Sequence, residues 1–196
     1  IRRICGHLMM SIIHSNASVP EAILYEVRPG DALEKIAKEH GTTIELIIIR
    51  NKLQGKNLKV GQKLSVWNRP FMIDVYKETN HLDLKMDGKV IKTYAVSTGK
   101  SNTTTPVGKF TVKSRYPFPA WFHHGVVVPG GSPENWLGTR WLGFDKPKYG
   151  IHGTIYPELI GQSVSGGCIR MRNKEVEELY DMIPIGTKVN IQEGEE

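Results

Sequence analysis

One stretch of the chain holds the residues for nucleophilic chemistry. From Gly150 to Asn173 it reads Gly-Ile-His-Gly-Thr, a dozen mixed residues, then Ser-Gly-Gly-Cys-Ile-Arg-Met-Arg-Asn. His152 and Cys168 therefore share one short segment, with a small-residue turn just before the cysteine. A thiol attacks a carbonyl only as the thiolate, which a nearby imidazole, a cation and free backbone N–H groups favour. Ser165-Gly166-Gly167 lets the backbone come close to a reacting carbonyl, so the N–H groups of Gly167 and Cys168 are oxyanion-hole candidates. Arg170 cannot lose its charge, and on a strand it returns to the face of Cys168. Singly, a cysteine is usually an inert buried hydrophobe and a histidine a surface or satisfied core residue. Together, the spacing, turn and arginine favour acyl transfer through a thioester.

These residues, Gly150-Ile151-His152-Gly153-Thr154 and Ser165-x-Gly167-Cys168-Ile169-Arg170-Met171, resemble the signature of the L,D-transpeptidase (YkuD-type) catalytic domain, whose members remodel bacterial peptidoglycan. The resemblance implies Cys168 as nucleophile, His152 as base and Arg170 as flanking cation. It gives Ser165 and Gly167 to the turn, with Ser165 also counted toward substrate, and makes the Gly153 carbonyl the orienter of the imidazole. Many members carry His where this chain has Gly166, a departure expected to alter local flexibility or pKa. The implied reaction joins third-position residues of stem peptides. Water as acceptor would make the protein an L,D-carboxypeptidase, and a lapsed site would leave a peptidoglycan-binding protein. A papain-like protease is disfavoured, because there the cysteine precedes the histidine by a long interval. The implied location is extracytoplasmic, in the periplasm or cell wall of a bacterium, and no cofactor or metal is called for.

The elements around this stretch follow from composition and periodicity. The chain of 196 residues has room for one large domain or two modest ones, and its composition is that of an ordinary globular protein. Of the net charge of +6, the excess is densest in the first third, yet no nucleic-acid motif or basic run with interleaved aromatics accompanies it. Two cysteines, Cys5 and Cys168, make no disulfide framework, and pairing them would extinguish the nucleophile. Residues 1–24 combine Arg2-Arg3, a largely apolar run and a small polar tail. They read as an N-terminal tail, either a signal or anchor remnant or a linker; the only membrane partnership expected is through such an anchor.

Residues 25–67 read as strand, helix, helix, strand, a small α+β (βααβ) unit. Asp31 with Glu34 forms a capping box, and Thr42 or Thr43 caps the second helix. Tyr-x-Val-x-Pro-Gly-Asp-x-Leu-x-x-Ile-Ala and Leu-x-Val-Gly-Gln-x-Leu resemble a LysM module. That resemblance implies binding of N-acetylglucosamine-containing glycan strands between Gly30, Asp31, Ala32 and Leu33 and the loop from Leu58 to Gly61. For each residue singly, a purely structural role in turn or cap stays open.

After a short linker, Asn68-Arg69-Pro70, residues 71–192 read as a mainly β catalytic domain, a β-sandwich with a short helix. Asp87-Gly88 predicts a hairpin turn. Thr105-Pro106-Val107-Gly108 is explained as a turn feeding a strand. Of the aromatics in residues 115–149, Tyr149 and Trp141 are the candidates for substrate contact in the cleft, and the rest read as core. Adjacent His123-His124 would point to opposite faces of a strand and give no metal site. A helix capped at Asn173 faces Val176, Leu179 and Tyr180 inward, a last strand runs from Lys188 to Ile191, and the acidic tail is solvated.

Overall fold

The computed structural model describes residues 2–100, 103–123 and 125–194, and of residues 2–5, 7 and 123 the backbone alone. The Cys5 thiol, the His123-His124 pair and the last two glutamates therefore lie outside the described groups. The chain opens with α1 (Arg2–His14), followed by β1 (Ala22–Glu26), α2 (Leu33–Glu39), α3 (Ile44–Asn51) and β2 (Lys63–Trp67). Strands β1 and β2 pair antiparallel from Ala22↔Trp67 to Glu26↔Lys63. Leu33, Ile36 and Ala37 recur on one face of α2 and join Ile47, Leu64 and Val66 in a small core. Thr43 caps α3, its Oγ1 accepting the Leu46 N–H at 2.9 Å. The expected capping box on α2 does not form. Ala32 occupies the cap position without a side-chain bond. Asp31 instead accepts from the Tyr25 hydroxyl (2.7 Å), the Arg28 N–H (2.9 Å) and Lys35 (3.0 Å).

The remainder is mainly β. In order come β3 (Phe71–Tyr76), β4 (His81–Met86), β5 (Lys89–Ala95), β6 (Thr98–Gly99), β7 (Gly108–Pro117), β8 (Trp121–His123) and β9 (Val126–Val128). Then follow β10 (Arg140–Phe144), β11 (Gly150–His152), β12 (Ser163–Ser165), β13 (Ile169–Arg170), α4 (Asn173–Met182) and β14 (Lys188–Gln192). Eight strands form a curled sheet in the order β13-β11-β10-β7-β14-β3-β4-β5, while β6 pairs with β12 and β8 with β9. Asp87 and Gly88 turn β4 into β5 with positive φ at both positions, as that dipeptide favours. Ile73, Val75, Leu82, Leu84, Val189 and Ile191 alternate inward. Val176, Leu179 and Met182 of α4 close the same core, each fully buried apolar side chain contributing roughly 1.5–3 kcal/mol.

Two further features depart from the sequence reading. The segment read as a tail contains α1, whose Met10 and Ile13 are buried in the main core. Fully buried Arg50 of α3 grips the end of that helix through the carbonyls of Ile12 (2.9 Å) and Ile13 (2.6 Å), and its guanidinium lies 5.2 Å from the Trp67 ring centroid. A cation at a helix C-terminus is favourably placed. The second departure is at α4, where Arg172 takes the cap position without a side-chain bond and Asn173 is the first helical residue. The two units also pack directly: Leu46 and Trp67 enter the larger core, and Arg115 pairs with Glu45 at 3.1 Å. Among the described residues no helix is long and apolar enough to cross a membrane.

Candidate active site

Strands β11 and β13 run parallel at one edge of the sheet, with Ile151 opposite Ile169 and His152 opposite Arg170. Both isoleucines are fully buried, so alternation sends His152, Arg170 and the preceding Cys168 to the other face. The strand pairing thus brings together three groups that the sequence separates by a loop. His152 is 4% exposed, and its Nδ1 lies 2.6 Å from the Gly153 carbonyl oxygen. A carbonyl can only accept, so Nδ1 carries the proton and Nε2 is left as the basic nitrogen. Trp141 stacks on the ring, centroids 5.8 Å apart. Burial pushes the His152 pKa down to about 4, and the Arg170 charge acts the same way, while the bond to the Gly153 carbonyl and the nearby Leu137 carbonyl oppose the fall.

Cys168 is half-buried, and its thiol donates to the Lys148 carbonyl at 3.3 Å. Burial raises the thiol pKa, while the Gly150 N–H and the Arg170 charge oppose that rise. The resting pair is therefore neutral thiol and neutral imidazole. Arg170 is held through its backbone by Ser97 in both directions at 2.9 Å, and its buried Nε has no hydrogen-bond partner among the described residues.

The turn before the cysteine differs from expectation in two ways. Ser165 is fully buried, its hydroxyl donating to the Cys168 carbonyl (2.6 Å) and accepting the Gly167 N–H (3.0 Å). Ser165 therefore braces the turn and presents nothing to a substrate. The Gly167 N–H is consumed by that bond, which removes it from the oxyanion donors in this arrangement. The Cys168 N–H, by contrast, has no acceptor among the described residues. Gly167 matters for shape: its φ is +112°, and a Cβ there would meet Tyr149 Cε1 at 2.9 Å. Tyr149 thus packs against the nucleophile turn, while Trp141 gives its face to His152, so both candidates flank the pair.

Sequence reasoning passed over several contributors. Thr103 Oγ1 donates to the Ser165 carbonyl at 3.0 Å, so the polar loop before β7 props the turn. The Lys148 carbonyl and Gly150 N–H at the sulfur are backbone groups that no side-chain pattern reveals. Trp136 stacks on Trp121 with centroids 5.0 Å apart and meets Tyr156 edge-on at 5.6 Å, an aromatic cluster beyond Arg170. Among the described residues no group of three or more His, Cys, Asp or Glu is placed to hold a metal ion.

The first unit's motif residues lie differently. The Asp31 side chain is 1% exposed and Leu33 is equally buried, so neither can contact a glycan without unfolding the loop. Leu58 is half-buried against the small core. Gly30 and Gly61 have φ of +82° and +81° with open space around them, and Ala32 is exposed. A groove of about 560 Å³ nearby is lined by Leu24, Arg28, Pro29, Val60 and Gly61.

Comparison with known proteins accounts for both units. The L,D-transpeptidase catalytic domain family (YkuD) matches residues 70–191, and the LysM domain family matches residues 25–67. A protein of Bacillus licheniformis named as a candidate L,D-transpeptidase, YkuD, is 36% identical over 86% of this chain and 98% of its own length. An L,D-transpeptidase structure from Mycobacterium smegmatis aligns with TM-score 0.55 and 22% identity over 68% of this chain. The alignment spans 64% of that mycobacterial protein. L,D-transpeptidase 3 from Mycobacterium tuberculosis, solved with a faropenem-derived adduct, aligns with TM-score 0.55 and 16% identity over 92% of this chain and 99% of its own.

Proposed function

Because the chain belongs to the L,D-transpeptidase (YkuD) catalytic-domain family and carries a LysM domain ahead of that part, we propose that it is a peptidoglycan L,D-transpeptidase working through a Cys168 thioester. The observation that carries this reading is the parallel pairing of β11 with β13. It sets a Nδ1-protonated imidazole, a thiol and a guanidinium on one face.

Both partners start neutral, so the proton leaves Sγ for His152 Nε2 as the sulfur attacks. The attacked carbonyl belongs to the third residue of a tetrapeptide stem, and its oxygen takes the negative charge beside the Cys168 N–H. The imidazolium then protonates the leaving amine of the terminal D-alanine, and the thioester remains. An amine from a second stem, deprotonated by His152, attacks the thioester, forms the crosslink and releases the sulfur. Water in that position would give the carboxypeptidase reaction. Arg170 lowers the cost of the thiolate, and its partly exposed guanidinium carries the charge that a substrate carboxylate would meet. The LysM domain binds N-acetylglucosamine-containing strands and raises their concentration near the cleft. Such a substrate places the protein outside the cytoplasm, in the periplasm or cell wall of a bacterium.

Incubation with a carbapenem followed by intact-mass measurement tests this reading. The expected result is one adduct on the parent and none on Cys168→Ala, with binding of both to cell-wall sacculi equal. A folded, reduced parent that takes up no adduct would sink it.

A further inference from the structure

His152 is oriented by the Gly153 carbonyl, and that carbonyl must itself be held. We infer that Asn173, on the first turn of α4, is the positioning residue that fixes it, an inference that rests on the reading of His152 as base to Cys168. Asn173 Oδ1 accepts the Thr154 N–H at 3.1 Å and the Thr139 N–H at 3.3 Å. Both partners are donors, so they also settle which end of the carboxamide points inward.

The Thr154 N–H belongs to the same peptide unit as the Gly153 carbonyl. That unit is planar and trans, so its N–H and C=O point in opposite directions. Asn173 thus grips one edge of the plane while His152 Nδ1–H binds the other at 2.6 Å. A peptide held at one edge alone could rotate about its flanking bonds and carry the imidazole with it. Held at both edges, it is clamped. The second acceptor bond ties this clamp to Thr139, two residues beyond the Leu137 carbonyl that also faces the His152 ring.

Two glycines make room for the clamp. A Cβ on Gly153 would stand 2.1 Å from Asn173 Oδ1, and one on Gly138 would stand 2.2 Å from the same oxygen. Gly138 also has φ of +64°, which favours glycine on its own account. The groups are thus three parts of one bracket between the start of α4, the end of β11 and the turn before β10. A neutral amide suits the place. A carboxylate of the same shape would accept the same two bonds, but its charge would favour the imidazolium that Arg170 disfavours.

The test uses the full chain, carbapenem acylation rates against pH, and the His152 Nδ1 proton resonance by NMR. Asn173→Ala is expected to lower the maximal acylation rate roughly 10- to 100-fold, with little change in half-saturating concentration, and to broaden or shift the Nδ1 proton. Asn173→Asp is expected to keep most of the rate and the proton signal, and to move the acid limb of the profile above the parent's. Arg170 is the charged group that acts on His152, the Cys168 thiol shares its face of the sheet edge, and both variants retain them. A folded Asn173→Ala within twofold of the parent, with its Nδ1 proton unmoved, would overturn the inference. Were the alanine variant unfolded by circular dichroism, the aspartate variant decides, and an acid limb identical to the parent's overturns it. A parent that takes up no adduct breaks the functional reading instead, and the Nδ1 resonance across the three proteins still judges the clamp.

Discussion

The LysM loop and the segment from Gly150 to Asn173 both carry family motifs, yet their residues turn opposite ways. In the loop, the Asp31 carboxylate faces inward and closes three hydrogen bonds, and Leu33 sits in the core. In the other segment, His152, Cys168 and Arg170 leave the core to Ile151 and Ile169 and gather on the opposite face. Size accounts for the difference. A unit of strand, helix, helix and strand has few residues to spare, so even its charged motif position serves the fold. The larger domain draws its stability from an eight-stranded sheet and α4, and its edge strands are free to hold chemistry. A motif therefore marks constraint, and the partners its side chains take decide whether that constraint is chemical.

The sharpest way to break this contrast is Gly167→Ala. At φ of +112° a side chain is strained, and its Cβ would meet the Tyr149 ring at 2.9 Å. Carbapenem acylation should fall by about 10²-fold or more, because the turn must shift and take Cys168 with it. Melting temperature should drop little, since the sheet core is untouched. An acylation rate near the parent's would show that the turn tolerates movement and that its glycine is not a chemical requirement.

The second contrast is in pH. An ordinary histidine would lose its basic nitrogen below pH 6.5, but burial and Arg170 hold His152 at about 4. The acylation profile in kcat/KM should therefore stay level from pH 7 down to about 5, then fall roughly tenfold per unit below 4. An acid limb near 6.5 would mean that solvent reaches the imidazole. Asp31 provides the LysM counterpart, read in stability rather than rate. Asp31→Ala should lower the melting temperature by roughly 3–6 °C near neutral pH while leaving acylation unchanged. The Asp31 pKa is lowered from 3.8 to about 2 when folded, chiefly by the Tyr25 hydroxyl bond. Its contribution is thus present above 3.8, and the gap between variant and parent should close as pH falls from there toward 2. Loss of sacculus binding with no change in melting would return Asp31 to the glycan site.

These outcomes also measure what the sequence made legible. The Asp87-Gly88 hairpin, the Thr43 cap and the periodic faces of α2 and α4 were all readable, because each rests on local pattern. The insertion of β14 between β7 and β3, and the parallel closure of β11 on β13, join residues far apart in the chain and have no local signature. The same holds for α1, whose burial depends on Arg50 and the core around it. At the site, the side chains, the Cys168 N–H and the Gly153 carbonyl were named in advance. The Lys148 carbonyl and the Gly150 N–H are backbone groups that no motif marks, and Ser165 looked available because its partners are backbone atoms within the same turn.

Gly166 gives the smallest effect and the finest discrimination. Its neighbour Gly167 is fixed by positive φ and by the Tyr149 ring, but Gly166 has neither constraint. It is exposed, its φ lies outside the left-handed region, and a Cβ there would meet nothing within 4 Å. The departure from the histidine common at this position therefore removes a side chain pointing into open space and leaves the turn's geometry alone. Gly166→His should fold normally and change the acylation rate by no more than about threefold. Any change should come through charge: a protonated imidazole near the sulfur would favour the thiolate below about pH 6.5. A rate increase confined to the acidic side would thus assign this position to thiol electrostatics. A tenfold or larger change at pH 8, where the new imidazole is neutral, would show instead that Gly166 sets the flexibility of the turn, and the contrast drawn between the two adjacent glycines would fail.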